Sequence, residues 1–145
     1  MSELHMAGFK LGNEEYAVDI NKVKEVIKMT DITKIPESDS YIEGEINLRG
    51  KNIPVINLKT ILGVFSELVE SGEKKIFIFD FKNKSIGVLV DMFTEVLRLD
   101  SSKVDFNSES GVSVDKKYIK GIGKYSNDRT LSIIDIEKIL EETVF

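Results

Sequence analysis

No cysteine occurs among the 145 residues, and histidine occurs once, at His5. The first absence excludes disulfides, thiolate chemistry and cysteine-ligated zinc. The second leaves imidazole acid–base chemistry one candidate, in a polar leader over residues 1–7, and leaves histidine metal clusters none. No apolar run approaches the roughly 20 residues needed to cross a bilayer, and the N-terminus lacks a secretory signal pattern, so the expected location is the cytoplasm. Positive charge is not in excess either. Twenty Lys and Arg stand against 25 Asp and Glu, for a net charge of −5, and the two signs are interspersed, which opposes a nucleic-acid or anionic-membrane surface. Missing too are the Gly-x-Ser-x-Gly elbow, His-Glu-x-x-His, a calcium loop and a Gly-rich dinucleotide fingerprint.

What is present is a succession of short apolar runs. Phe9 to Leu11 and Glu15 to Ile20 form a hairpin through Gly12-Asn13, with Tyr16, Val18 and Ile20 alternating against Ala17 and Asp19 as in a half-buried strand. Asn21 to Ile27 is ambiguous, since Val23, Val26 and Ile27 have helical spacing; the expectation is a tight turn over Asn21 to Val23 and then a strand to about Ile35. Pro36 ends that strand, and Ser38, Asp39 or Ser40 is placed to cap a helical turn leading to Gly44. Leu58 to Leu62 reads as a short helix closed by Gly63, and Val64 to Lys74 as a connection. Ile76 to Phe81 and Ser85 to Asp91 are strands, the second buried on both sides. Thr94 to Leu99 is another strand, Asp100 to Lys117 a long loop, and Tyr118 to Tyr125 with Thr130 to Ile136 a last hairpin. Ile136, Ile139 and Leu140 give the stripe of a terminal helix. Nine or ten short strands at regular spacing predict a mainly β chain, sandwich or barrel, with a divide near residue 64 between two small barrels sharing one core.

The stretch from Tyr41 to Leu58 is the most pointed. Ile46 and Leu48 on one arm and Ile53, Val55, Ile56 and Leu58 on the other make a hairpin across Arg49-Gly50-Lys51-Asn52, with Pro54 marking a strand start or an edge. Gly44 and Gly50-Lys51 superficially suggest a phosphate loop, but five residues separate the glycines where four are needed, Asn52 stands where Ser or Thr would meet magnesium, and a strand follows where a helix is required. Folding does not require Arg49 at the tip; it is either an ordinary solvated arginine or a binding group. Val23 and Val26 flanking Glu25 are either core or an exposed aliphatic pair of the kind that anchors an interface. Asp91 and Asp135, each ending an apolar strand, are the best catalytic pair available, for a small acid-catalysed hydrolase; the plain alternative is a strand-end turn former or a cap. Asn83-Lys84-Ser85 matches a glycosylation acceptor, which carries no weight without a secretory signal.

Taken in order, Glu15-Tyr16-Ala17-Val18-Asp19-Ile20, Val23 with Glu25-Val26-Ile27, Ile35-Pro36, Gly44-Glu45-Ile46-Asn47-Leu48-Arg49-Gly50, Ile53-Pro54-Val55-Ile56-Asn57-Leu58, Gly87-Val88-Leu89-Val90-Asp91, Tyr118-Ile119-Lys120-Gly121-Ile122 and Ile133-Ile134-Asp135-Ile136 resemble the CheW-like domain family of bacterial chemotaxis over essentially the whole chain. The resemblance implies two five-stranded β-barrels intertwined in one domain over residues 1–145. It implies a non-enzymatic adaptor, with no cofactor and no metal, coupling methyl-accepting chemoreceptors to the histidine kinase CheA. Carried over by position, Val23, Glu25 and Val26 would meet the regulatory domain of CheA, and Gly44, Asn47, Arg49 and Val96 the cytoplasmic tips of chemoreceptors. The Asp105 to Val114 loop would supply a second kinase-facing surface, although it lacks the proline usual in the family, as does Asp39. With no receiver or kinase domain alongside, the resemblance is to a stand-alone coupling protein, a monomer by itself and recruited into membrane-associated arrays. An adaptor for another receptor–kinase system, such as one controlling surface motility, is the alternative.

Overall fold

The computed structural model describes residues 3–67, 73–106, 116–126 and 129–143. Eleven strands form two sheets. In chain order they are β1 (Glu3–Leu11), β2 (Glu14–Asp19), β3 (Val23–Lys28), β4 (Ile42–Leu48), β5 (Lys51–Asn57), β6 (Lys75–Phe81), β7 (Lys84–Val90), β8 (Met92–Asp100), β9 (Val104–Asp105), β10 (Ile119–Ser126) and β11 (Arg129–Ile134). Two helices, α1 (Leu58–Leu62) and α2 (Ile136–Thr143), complete the regular structure with three short 3-10 turns. One sheet runs β8-β1-β2-β11-β10-β9 and the other β3-β6-β7-β5-β4. Both take strands from either side of residue 64, so that position lies between α1 and β6 without separating the sheets.

The mainly β reading and the C-terminal helix hold. The first sheet carries a sixth strand because the loop expected over Asp100 to Lys117 begins with a 3-10 turn, Ser101–Lys103, that returns the chain as β9 against β10. Residues 1–7 were expected to be a leader, but β1 begins at Glu3: its polar residues Glu3 and His5 pair with Asp100 and Arg98 of β8, a long-range partnership that local polarity conceals. Strand β3 ends at Lys28 rather than near Ile35, and the tight turn precedes Val23, over Ile20–Lys22. Residues 36–41 form turns and not the expected helical turn; Glu37 has a left-handed backbone (φ 58°) that interrupts a helix there.

Parity explains why the central strands are apolar on both faces. Alternate residues feed different cores. Ile76 and Ile78 of β6 point into the interior of the five-stranded sheet with Ile46, Ile53, Val55 and Leu89. Phe77 and Phe79 point the other way, into a larger core shared with Phe9, Tyr16 and Val18 of the six-stranded sheet. On the far side Ala17, expected to face outward, is buried with Met6, Leu97, Leu99, Leu131 and Ile133 inside the six-stranded sheet. The shared core is bound by aromatic contacts: Phe77 meets Phe9 edge-on at 5.5 Å and Phe93 at 5.8 Å, while Phe9 stacks on Tyr16 at 5.8 Å.

Local chemistry sets the turns. Asn57 caps α1 by accepting the Thr60 N–H at 3.3 Å, and Gly63, left-handed at φ 75°, ends it. Pro54 lies within β5, opposite Glu45 and one residue before β7 pairing starts at Val55. The five-stranded sheet is closed on its open side by a two-residue seam in which the Thr33 N–H donates to the Glu45 carbonyl (2.9 Å) and the Glu45 N–H to the Thr33 carbonyl (2.8 Å). Gly44 makes this possible. A Cβ there would sit 2.3 Å from the Thr33 oxygen, on a backbone with φ 147°. Gly44→Ala should therefore cost about 2–5 kcal/mol from strain plus steric conflict. Gly50→Ala, whose Cβ meets nothing within 4 Å, should cost only about 1–2 kcal/mol for its positive φ. Urea denaturation of the two variants checks the order; equal midpoints would contradict the seam's role.

Candidate functional site

The central hairpin turns on two residues, Arg49-Gly50, and not the four expected: Leu48 already pairs with Lys51 and Asn47 with Asn52. Both turn residues have positive φ, 50° and 85°, the pattern of a type I′ turn whose twist matches the flanking strands. Asn47 braces it, its Oδ1 accepting the Gly50 N–H at 3.2 Å. Position 49 suits Asn or Gly, and a left-handed arginine costs about 1–2 kcal/mol. The same strain occurs at Lys82-Asn83 (φ 49° and 65°), between β6 and β7.

From this tip Arg49 reaches 24 residues back in sequence, and its Nη2 donates to Glu25 Oε1 at 2.6 Å. Strands β3 and β4 are the two edges of the five-stranded sheet, so the ion pair continues the seam begun at Thr33 and Glu45. Its guanidinium is 66% exposed and the carboxylate 29%. An ion pair so open to water contributes about 0–1 kcal/mol, no more than the turn strain. Stability does not account for Arg49.

The structure thus brings Glu25 and Arg49, assigned to different partners, into one contact. Around them Val26 is 36% exposed on β3 and Met29 is exposed beyond it. Val23 is half-buried and packs on the shared core. It lines a shallow groove of about 290 Å³ with Phe81 and the α2 residues Ile136 and Leu140. The rim carries two ion pairs, Lys22–Glu137 at 2.6 Å and Lys24–Asp80 at 3.4 Å. The Lys22 ammonium, hydrogen-bonded to Glu137, holds that carboxyl below its ordinary range, and the carboxylate raises Lys22 in turn. The valines are therefore divided between the two readings: Val26 is surface and Val23 is partly core.

Val96 is 60% exposed, but on β8 of the other sheet, opposite Ala7. Asn47 is exposed, while Gly44 is buried and serves backbone clearance instead of offering a contact. Of the Asp105 to Val114 loop, Asp105 ends β9 and Phe106 is exposed; residues 107–114 lie outside the described residues. The sequence did not reveal the Glu25–Arg49 pair, nor that Met29 and Phe106 are exposed. A polar residue at 25 opposite an arginine at a hairpin tip would have been the only signal.

Asp91 and Asp135 do not form a catalytic pair. Asp91 accepts the Gly12 N–H at 2.6 Å and pairs with Lys59 at 3.1 Å; Asp135 starts α2, accepting the Lys138 N–H at 3.2 Å. They line separate cavities. Among the described residues, no group of three or more His, Cys, Asp or Glu is placed to hold a metal ion, and no helix is long and apolar enough to cross a membrane.

Replacing Arg49 with Asn relieves the turn while deleting the ion pair. Arg49→Asn should leave folding stability within about 1 kcal/mol of the wild type, as read by urea denaturation. A larger loss would make Arg49 a structural residue.

The family model described as the CheW-like domain matches residues 5–144. The chemotaxis protein CheW of Thermotoga maritima is 36% identical over 144 residues, covering 98% of this chain and 91% of that protein. The chemotaxis protein CheW of Bacillus subtilis is 33% identical, covering 94% of this chain and 86% of that protein. Among solved structures, the scaffolding protein TtCheW from Thermoanaerobacter tengcongensis superposes with a TM-score of 0.84 at 34% identity, covering 97% of this chain and 89% of that one.

Proposed function

Since this chain belongs to the CheW-like domain family of chemotaxis scaffolding proteins, we propose that it is a non-enzymatic adaptor coupling methyl-accepting chemoreceptors to the histidine kinase CheA in cytoplasmic, membrane-associated arrays. The observation that carries this reading is Arg49: it is held in a strained turn, 66% exposed, for an ion pair worth too little to explain it. Binding explains what folding does not.

In this mechanism the β3 face docks on the regulatory domain of CheA. Val26 and the rim of the Val23 groove supply an apolar anchor, and the flanking Lys24–Asp80 and Lys22–Glu137 pairs supply a polar border. Arg49, steadied by Asn47, faces the cytoplasmic tip of a chemoreceptor, and Val96 on the second sheet extends that surface. Gly44 contributes by letting the seam close. Because Glu25 stands on the kinase side and Arg49 on the receptor side, a receptor that draws the guanidinium away alters the carboxylate offered to the kinase. The exposed pair limits such coupling to about fivefold in affinity. Array multivalency then makes modest single contacts tight.

Val26→Asp should weaken binding of the CheA regulatory domain about tenfold or more while sparing a receptor cytoplasmic fragment, and Arg49→Asn should weaken the receptor fragment about tenfold or more while changing kinase affinity by no more than about fivefold. Isothermal titration of each variant with each partner, with folding checked by circular dichroism, tests both. A folded Val26→Asp that binds the kinase domain as well as wild type would remove the proposed face.

A further inference from the structure

The chain passes from the five-stranded sheet to the six-stranded sheet at one residue. Strand β7 ends at Val90 and β8 begins at Met92, so Asp91 is the whole connection. Its side chain is only 9% exposed. Oδ2 accepts the N–H of Gly12, at the tip of the β1–β2 hairpin, and lies 3.1 Å from Lys59 Nζ on α1, itself 17% exposed. The Asp91 N–H donates to the Lys10 carbonyl at 3.1 Å. One residue is thus fastened to the first hairpin of one sheet and to the helix that leaves β5 of the other. The opposite crossing, the 3-10 turn Ile20–Lys22 between β2 and β3, packs Ile20 on the shared core and is capped locally by Asp19, but its long-range ion pair, Lys22–Glu137, has partners 46% and 58% exposed. Water screens that pair and leaves it weak, whereas a buried charge cannot give up its partners without strong cost.

We propose that Asp91 is the positioning residue that sets the mutual orientation of the two barrels, and through it the receptor-facing surface that Arg49 on one sheet and Val96 on the other compose. The second half of this inference rests on the proposed function; the first does not. The kinase-facing residues Val23, Glu25 and Val26 all lie on β3, so of that face only the α2 side of the Val23 groove, Ile136, Glu137 and Leu140, moves with the joint. Loosening it leaves the shared core to hold the two sheets together but widens the range of their relative orientations, so that a partner reading both sheets meets the competent one only part of the time. If that fraction drops to about a tenth, apparent receptor affinity falls about tenfold, with a smaller loss of kinase affinity because the Val26 anchor stays on one sheet.

The absence of native cysteine permits a direct test. Lys51→Cys on β5 and Thr130→Cys on β11, both exposed, carry spin labels, and the distance between them is measured by pulsed dipolar spectroscopy in wild type, Asp91→Ala and Asp91→Asn. Binding to the receptor fragment and to the kinase regulatory domain is titrated in the same backgrounds without labels. The expected result is a narrow distribution in wild type, a broadened or displaced one in Asp91→Ala, and an intermediate one in Asp91→Asn, which retains an acceptor for Gly12 but not the charge for Lys59. Receptor affinity falls in the same order and by a clearly larger factor than kinase affinity. An unchanged distribution in Asp91→Ala overturns the joint. Equal loss of both affinities overturns the positioning role, because a merely structural residue would weaken both. Should Asp91→Ala fail to fold, Asp91→Asn and Lys59→Gln decide by the same readouts. If wild type itself does not bind the receptor fragment, the functional reading fails, and the distance distributions alone decide the joint.

Discussion

Neither sheet of this protein can bury its outer face alone, and the shared aromatic core is the constraint from which the rest follows. Phe77 of β6 contacts Phe9 and Phe93, both of the other sheet, at 5.5 and 5.8 Å. Each buried aromatic side chain contributes about 1.5–3 kcal/mol of transfer free energy, against a total domain stability on the order of 5–15 kcal/mol. The barrels are therefore stable as a pair. Parity does the sorting: odd and even residues of β6 enter different cores, and the same division occurs in β7, where Leu89 faces one barrel interior and Val88 and Val90 face the shared core.

A pair so joined presents fixed surfaces with few free edges. The seam at Thr33 and Glu45 pairs part of the β4 edge of the five-stranded sheet, and β9 covers part of β10 in the six-stranded one, which shortens the unpaired rims that invite aggregation. Among the described residues the exposed groups include Val26 and Met29 beside Glu25, Arg49 at its strained turn, Val96 on the other sheet, and Phe65 and Phe106 outside the strands. Strain at Arg49 and burial of charge at Asp91 both cost stability locally. Both are sustained because the cores on either side of each strand over-determine the backbone. The two devices differ in kind. One holds a cation out to solvent, and the other locks the chain where it changes sheets.

Much of the architecture was legible in sequence because it is written locally. Gly87 to Val90 announces a strand buried on both faces, Asn57 and Gly63 bracket α1, and Ile136, Ile139 and Leu140 mark α2. What escaped is set by partners distant in sequence. Glu3 and His5 look like a leader until β8 pairs with them. Val104 and Asp105 look like loop until β10 does. Ala17 reads as an outward residue until a second core is known to lie beyond the strand. Of the candidate site, the positions were legible from the ordered motifs, but not their relations. No local pattern shows that Glu25 grips Arg49, or that Gly44 is buried beneath the Thr33 carbonyl. Asp91 stands out in the sequence only by its place after an apolar strand; its contacts with Gly12 and Lys59 join residues distant along the chain and exist only in the fold.

The proposed coupling requires one chain to hold two partners at once through different faces. Sedimentation-velocity analysis of this protein mixed with the CheA regulatory domain and a receptor cytoplasmic fragment, singly and together, tests that most directly. A ternary species containing all three is expected, with kinase-domain affinity changed by no more than about fivefold when the receptor fragment is saturating. Two binary complexes that exclude one another, with no ternary species at any concentration, would contradict it.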